Sequence, residues 1–305
     1  MRNLSRLFLL LAFALGLCAP AARGQETLQS VYHADMQNQL EAVASGVDGV
    51  MGFAIKDLNS GESFYLRPDT VFPQASSIKL TILLEVLRQD QEGKLSLGEK
   101  HTIRHSETVA GDPILYMLGD GTAAMSLRDV AIFMVVLSDN SATNILIDKA
   151  GMANINAEIG RMGLKETKLR RHMMDLDAAK QGNENVSTPR EMMTLLETVH
   201  AGKALDAAHT AEYFRLLELP KSSEFHAALP DTVKIADKPG ALEAVRCDSG
   251  IIEIPGHPFV ISVMTTYLSN EAEGEKAIGD IARLAYAYFD RLARSSPYGR
   301  VISEK

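Results

Sequence analysis

Two residues three positions apart, Ser76 and Lys79, have the types and the spacing of a nucleophile and its base. Residues at this separation share one face of a helix, and the apolar run at 80–87 predicts such a helix. A serine hydroxyl is a weak nucleophile until a base removes its proton, and a lysine can do this only when its pKa is lowered. If Ser76 begins the helix, its backbone N–H is free to bind a developing oxyanion.

Two further short motifs follow along the chain, a Ser-x-Asn at Ser138 and Asn140 and a Lys-x-Gly at Lys238 and Gly240. Ser138 could relay a proton between Lys79 and a leaving nitrogen, and Asn140 could bind Lys79 or a substrate amide. The ammonium group of Lys238 would lower the pKa of Lys79. Each motif alone also fits a helix N-cap or a turn. Their order and wide spacing favour one shared catalytic site.

The three motifs resemble those of class A serine β-lactamases and of their penicillin-recognising relatives. The resemblance covers nearly the whole chain after residue 24. It implies that Ser76 is the acylated nucleophile, that Lys79 is its base and that Ser138 relays the proton to the leaving group. The implied protein is a hydrolase that opens β-lactam amides through an ester on Ser76, without metal or cofactor.

The resemblance also implies a set of substrate-binding residues. Asn140 and Lys238 are similar to residues that contact the substrate, and Gly240 belongs to the same motif as Lys238. Ala241 is similar to the residue that supplies the family's second oxyanion N–H. Arg246 resembles the arginine that helps to hold the substrate carboxylate from the neighbouring strand.

Residues 167–177 are similar to the family's omega loop but lack its water-activating glutamate. Two residues after Arg171, at that position, this chain has Met173, which neither accepts a proton nor orients water. Loss of a positioned general base lowers a rate by about a hundred- to ten-thousand-fold. Asp177 stands where the family has a water-binding asparagine, so one hypothesis makes Asp177 a displaced base. The equally weighted alternative is a surface carboxylate on a loop.

A second departure is Pro239, at a position where the family carries Thr or Ser. Proline supplies neither a hydroxyl nor an N–H, although an edge strand tolerates it. Binding of a substrate carboxylate would then depend on Lys238, Ser138 and Arg246.

Strand patterns lie at both ends of the chain, and helical periodicity dominates the middle. This arrangement predicts an α+β fold, with an antiparallel sheet flanked by N- and C-terminal helices and an inserted all-helical half. We expect a single domain at 25–305, with one half at 25–70 plus 225–305, the helical half at 71–224, and the site in the cleft between them. The predicted strands are 49–55, 63–66, 232–236, 245–254 and 259–266, and the predicted helices are 28–43, 76–89, 127–137, 142–150, 153–162, 189–200, 206–217 and 270–293.

Residues 1–24 have the pattern of a secretory signal peptide, with Arg2 and Arg6 before an apolar run at 7–17 and small residues after it. The run is too short to span a membrane. We expect cleavage near Gln25 and a periplasmic or secreted protein. A lipoprotein is disfavoured because the large Leu17 precedes the cysteine at position 18.

The formal charge is −8, and removal of three arginines with the signal peptide would make it −11. Such an acidic protein is a poor candidate for binding nucleic acid or, once the signal is removed, a membrane surface. Cys247, the one cysteine left after cleavage, allows no internal disulfide, and we expect it to be a buried spectator. His101 and His105 have a metal-ligand spacing but no evident third ligand, so we predict no metal site. We expect a monomer.

Three functions fit these residues. The first is a secreted β-lactamase. The second is a penicillin-binding D-alanyl peptidase or esterase-like hydrolase with slow β-lactam deacylation, and Met173 favours it. The third is a binding or sensor module that stays acylated. In each case the partner is a small molecule, a β-lactam or a D-alanyl peptide.

Overall fold

The structure is a computed structural model that describes residues 27–111 and 114–301. The predicted signal peptide lies outside the described residues. Within the described ranges, no helix is both long enough and apolar enough to cross a membrane.

The strands form one large antiparallel sheet and two short pairs. In chain order they are β1 (Val50–Asp57), β2 (Ser63–Leu66), β3 (Phe72–Pro73), β4 (Lys100–Thr102), β5 (Ala124–Ser126), β6 (Val186–Ser187), β7 (Ile235–Leu242), β8 (Val245–Ile252) and β9 (Phe259–Thr266). The large sheet has the order β2-β1-β9-β8-β7, while β3 pairs with β6 and β4 with β5. Because β1 pairs antiparallel with β9, the two ends of the chain build one sheet, and this confirms the predicted α+β fold.

Helices cover the sheet and fill the middle of the chain. They are α1 (Leu28–Ser45), α2 (Lys79–Gln91), α3 (Ile114–Met117), α4 (Leu127–Val136), α5 (Asn140–Ala150), α6 (Met152–Arg161), α7 (Leu176–Lys180), α8 (Pro189–His200), α9 (Ala207–Leu217), α10 (Glu224–Ala228) and α11 (Glu271–Ala293). Thr188 caps α8, since its side chain accepts a hydrogen bond from Glu191 N at 3.1 Å. The domain boundaries stay a prediction.

Two apolar cores lie on opposite faces of the sheet. Alternate residues of a strand point to opposite faces, so Phe53 packs with α1 and α11 while Ala54 packs with the helical half. On β9, Ile261 packs with α1 and α11, whereas Met264 packs with the helical half. The sheet is therefore held between the terminal helices and the inserted helical half.

Strand β7 is longer than predicted, and the difference places the Lys-x-Gly motif inside a strand. The sequence predicted a strand at 232–236, whereas β7 runs from Ile235 to Leu242, with Lys238 opposite Ser249 of β8. The proline at position 239 is tolerated because β7 is the edge of the large sheet and pairs only with β8 there. The Lys238 side chain is therefore carried by a strand and not by a turn.

Candidate active site

Ser76 lies in a tight 3-10 turn, residues 75–78, that leads into α2. The preceding Ala75 has φ +46, a left-handed conformation that is strained for a residue with a Cβ. The turn is held on both sides. The hydroxyl of Ser77 donates to the carbonyl of Lys238 at 3.0 Å, and Gln74 N donates to the carbonyl of Asn185 at 2.9 Å.

The hydroxyl of Ser138 lies between two lysine side chains. Lys79 Nζ is 2.9 Å from Ser138 Oγ and 2.6 Å from the Ser138 carbonyl, and Lys238 Nζ is 3.2 Å from the same Oγ. Ser138 itself has φ +53, so strain is stored at this position too. This geometry brings three of the predicted catalytic and binding residues into one hydrogen-bonded group.

Burial lowers the pKa values of both lysines. Each is only 1% exposed. Burial lowers the pKa of Lys79 well below its usual value, and the ammonium of Lys238 lowers it further, against a smaller opposing effect of Asp139. Burial lowers the pKa of Lys238 to about 8, although Asp237 raises it. A neutral amine, the form that can accept a proton, is therefore accessible near neutral pH.

The Ser-x-Asn motif is positioned by the start of α5. Asp139 caps this helix by accepting a hydrogen bond from Ala142 N at 2.8 Å, and it also accepts one from Leu115 N of α3 at 3.2 Å. Asn140 then begins the helix, with its Oδ1 3.5 Å from Lys79 Nζ, and it lines the cleft.

Gly240 allows strand β7 to approach the turn of the nucleophile. A Cβ at this position would lie 2.7 Å from Cys247 Sγ, 2.8 Å from Gln74 O and 2.9 Å from Ser77 N. Only glycine fits such an approach. The neighbouring Ala241 therefore lines the cleft beside Ser76. Cys247 is fully buried beneath, and burial raises the pKa of its thiol to about 12, so it is the inert residue that the sequence predicts.

Met173 occupies the wall of the cleft. Its side chain lines the cavity, and the residue is 7% exposed. The side chain of Asn144 fixes it, since Asn144 Oδ1 accepts from Met173 N at 2.8 Å and Nδ2 donates to Met173 O at 3.1 Å. Lower in the same loop, Arg171 pairs with Glu184 at 2.9 Å. The thioether of Met173 therefore occupies the position at which the sequence lacks a water-activating glutamate.

The structure does not bring Asp177 to the cleft, which corrects the hypothesis of a displaced base. The Asp177 side chain is 87% exposed, pairs with Lys180 at 3.3 Å and is absent from the lining of the cleft. The reason is local. Asp175 caps the short helix α7 by accepting from Ala178 N at 3.0 Å, and the first turn of that helix carries Asp177 outward.

Arg246 is held by carboxylates of α11. Its guanidinium donates to Glu275 at 2.7 Å, to Glu271 at 2.9 Å and to the Leu242 carbonyl at 2.8 Å. The cleft lining includes Glu275 but not Arg246. The prediction that Arg246 contacts a substrate carboxylate is not supported by this arrangement, because its donors are already occupied.

The cleft has a volume of about 780 Å³ and is lined by both halves of the protein. Sequence reasoning missed several of its residues because no local pattern marks them; they are Glu184, Asn185, Ser223, Glu224 and Glu275. Among the described residues, no group of three or more His, Cys, Asp or Glu side chains is placed to hold a metal ion.

Comparisons with known proteins identify related sequences. A sequence model of the beta-lactamase enzyme family matches residues 35–289. An imipenem-hydrolyzing beta-lactamase of Enterobacter cloacae is 28% identical over 81% of this chain and 87% of its own. Beta-lactamase SME-1 of Serratia marcescens is 28% identical over 83% of this chain and 88% of its own.

Solved structures superpose over most of the chain. A beta-lactamase from Chitinophaga pinensis has a TM-score of 0.79 at 26% identity, covering 83% of this chain and 98% of its own. PBP-A has a TM-score of 0.77 at 26% identity, covering 84% and 96%. The family match spans most of the described structure and contains all three motifs, so the chain belongs to the β-lactamase enzyme family.

Proposed function

We propose that this protein is a serine hydrolase that opens β-lactam amides through an ester on Ser76. The observation that carries the proposal is the position of Ser138 Oγ, 2.9 Å from Lys79 Nζ and 3.2 Å from Lys238 Nζ, in the cleft that Ser76 lines. Such a group can take a proton from the Ser76 hydroxyl and deliver it to the leaving nitrogen of the substrate.

Acylation begins when the neutral amine of Lys79 takes the proton of Ser76 Oγ. The oxygen attacks the lactam carbonyl carbon, and the backbone N–H groups of Ser76 and Ala241 bind the resulting oxyanion. When the ring C–N bond breaks, the proton passes from Lys79 through Ser138 to the leaving nitrogen. The products are an ester on Ser76 and a free amine on the opened ring.

Hydrolysis of the ester needs an activated water, and Met173 offers no base for it. Lys79, neutral again after the proton transfer, is the remaining base in the group, so we expect slow deacylation. This observation favours a second candidate function, a D-alanyl peptidase or esterase-like enzyme that binds penicillins. A solved relative supports it, since PBP-A, as its L158E mutant, forms an acyl-enzyme complex with penicillin G.

We further propose that the protein is exported by its N-terminal segment, is cleaved near Gln25 and acts as a periplasmic or secreted monomer. The acidic balance of the sequence supports a small-molecule substrate over a nucleic acid or membrane partner. The bacterial β-lactamase relatives are consistent with that setting.

The test combines a chromogenic cephalosporin assay with intact-mass spectrometry of the wild-type protein and of Ser76→Ala. Rapid colour without a lasting adduct supports a β-lactamase. A persistent adduct, together with release of D-alanine from a peptide, supports the second candidate. Wild-type protein that neither turns over nor gains mass would contradict acylation altogether.

A further inference from the structure

One wall of the cleft is apolar, and it is built from the loop at 167–177 and from the turn before α5. We call it the apolar wall, and its members are Leu137, Met173, Met174 and Leu176. Leu137, Met174 and Leu176 are 43%, 39% and 56% exposed, whereas Met173 lies deeper. A single exposed leucine or methionine is common, but several that line one cavity are typical of a surface that binds an apolar group.

Local hydrogen bonds fix the backbone that carries Met174 and Leu176. Met174 has φ +64, a left-handed conformation that is strained for a residue with a Cβ. Leu176 N donates to the Met174 carbonyl at 2.9 Å, across Asp175, whose φ −76 and ψ 81 are typical of an inverse γ-turn. Asp175 also caps α7, so Leu176 is held as the first residue of that helix.

The apolar wall adjoins Asn140. A Cβ at Gly111 would lie 3.1 Å from Asn140 Nδ2 and 3.5 Å from Met174 Sδ, so Gly111 lies between these two side chains. Asn140 is the residue that the sequence analysis expects to bind Lys79 or a substrate amide. A substrate group held at Asn140 would therefore have the apolar wall beside it.

The charged groups beside the apolar wall are paired or lie outside the cleft lining. Arg171 and Glu184, which line the cleft, pair with each other at 2.9 Å. His172 pairs with Asp148 at 2.9 Å, and both are absent from the lining. Asp175 uses its carboxylate to cap α7 and is also absent from it. A charged substrate group at this wall would lose water without gaining a free partner of opposite charge.

The proposed acylation determines which part of a substrate meets this wall. The leaving nitrogen must lie at Ser138 Oγ, between Lys79 and Lys238, while the carbonyl carbon lies at Ser76. The acyl part is bonded to the other side of the carbonyl carbon, so it extends away from the two lysines and towards Asn140. It is therefore the acyl part that lies against the apolar wall.

We propose that the apolar wall binds the acyl group of the substrate and makes the protein prefer apolar, uncharged acyl groups over short or charged ones. Leu137, Met174 and Leu176 are the specificity-determining residues. The flexible thioether of Met174 can adapt to acyl groups of different shape. The inference rests on the proposed acylation of Ser76 and names the chemical class of acyl group that this site prefers.

The test uses three penicillins that differ only in the acyl group on the exocyclic nitrogen, which is acetyl, hexanoyl or adipoyl. Hexanoyl and adipoyl groups have the same number of carbons, but only the adipoyl group ends in a carboxylate. The measured quantity is the second-order rate constant for opening of the lactam ring. This constant does not depend on how fast the ester is later hydrolysed, so it reports acylation alone.

The variants are Leu176→Ser and Leu137→Ser, and the matched control is Leu28→Ser. Like Leu176, Leu28 is the first residue of a capped helix, but it lies outside the cleft lining and is 61% exposed. The control therefore makes the same chemical change in the same local setting. Circular dichroism checks the fold of each protein.

We expect the wild-type protein to react about tenfold faster with the hexanoyl than with the acetyl compound, because the longer chain removes apolar surface from water. The adipoyl compound should react about tenfold slower than the hexanoyl compound, since its carboxylate would lose water at the wall. Leu176→Ser and Leu137→Ser should each lower the ratio of the hexanoyl to the acetyl rate about threefold, and Leu28→Ser should leave this ratio unchanged.

Equal wild-type rates with the acetyl and hexanoyl compounds, or with the hexanoyl and adipoyl compounds, would overturn the inference while leaving the acylation of Ser76 intact. A rate ratio as high in Leu176→Ser and Leu137→Ser as in Leu28→Ser would overturn it as well. Absence of ring opening with all of the compounds would instead reject the proposed function, and the inference with it.

Discussion

At the scale of single residues, the proposed reactivity of Ser76 depends on two buried lysines that share one hydroxyl. Lys79 and Lys238 both contact Ser138 Oγ. Burial lowers the pKa of both amines, and the ammonium of Lys238 lowers that of Lys79 further. The site therefore obtains a base near neutral pH from two groups that are ordinarily cations.

Lys238→Ala should move the pH profile of acylation. Removal of the second ammonium raises the pKa of Lys79, so the rising limb of the rate should shift upward by about one to two pH units. The measurement is the rate of adduct formation across pH 5–10, with Lys234→Ala, an exposed lysine just before the strand, as the control. An unchanged or lowered midpoint would contradict the proposed coupling.

We expect Met173 to slow hydrolysis of the proposed ester on Ser76. Met173→Glu places a carboxylate at the wall of the cleft, where it can activate water, and should accelerate loss of the acyl group by about a hundredfold or more. The measurement is the decay of the mass adduct after excess lactam is removed. Met117→Glu makes the same chemical change at an exposed residue outside the cleft lining and should give no such gain. Equal decay in both variants would show that position 173 has no special role.

At the scale of elements, the site depends on the close approach of β7 to the turn that carries Ser76. Gly240→Ala puts a Cβ within 3 Å of two backbone atoms and a sulfur, so the strand must move away. Because β7 supplies one proposed oxyanion donor, acylation should fall by about a hundred- to a thousandfold. Gly160→Ala on α6 has open space around its Cβ and should be neutral or slightly stabilising. Rates of adduct formation for the two variants give the comparison, and similar rates would refute the packing argument.

Element boundaries also set the limits of sequence prediction. The spacing of Ser76 and Lys79 predicted a helix from Ser76, whereas α2 begins at Lys79 and Ser76 lies in the preceding 3-10 turn. The position of Asp177 was not predictable, because it depends on a one-turn helix that Asp175 caps. The ion pairs of Arg246 with α11 depend on how α11 packs against β8. No local sequence pattern predicts that packing.

At the scale of the whole molecule, the sequence predicted the α+β fold because its strand patterns stand at the two ends. The cleft lining could be predicted only in part. Glu224 belongs to no recognisable motif. It lines the cleft because α10 packs between β7 and α11. The three motifs predict the chemistry of the site. The other charged residues of the cleft lining are brought there by tertiary packing, which the motifs do not predict.

Burial of Lys238 has a consequence for global stability. Its pKa is about 8 in the folded protein and near 10.5 when unfolded, so over this range the unfolded chain binds more protons and stability rises with pH. Relative to Lys238→Met, the wild-type free energy of unfolding should increase by about 2 kcal/mol between pH 7.5 and 9.5. Urea unfolding at the two pH values measures this difference. A difference that is constant or falls with pH would contradict the depressed pKa.

The central claim is that Ser76 is the acylated nucleophile, and peptide mapping of the protein after reaction with benzylpenicillin tests it most directly. We predict that the added mass lies on the peptide that contains Ser76 and is lost in Ser76→Ala. An adduct on another residue, or one that survives Ser76→Ala, would contradict the account.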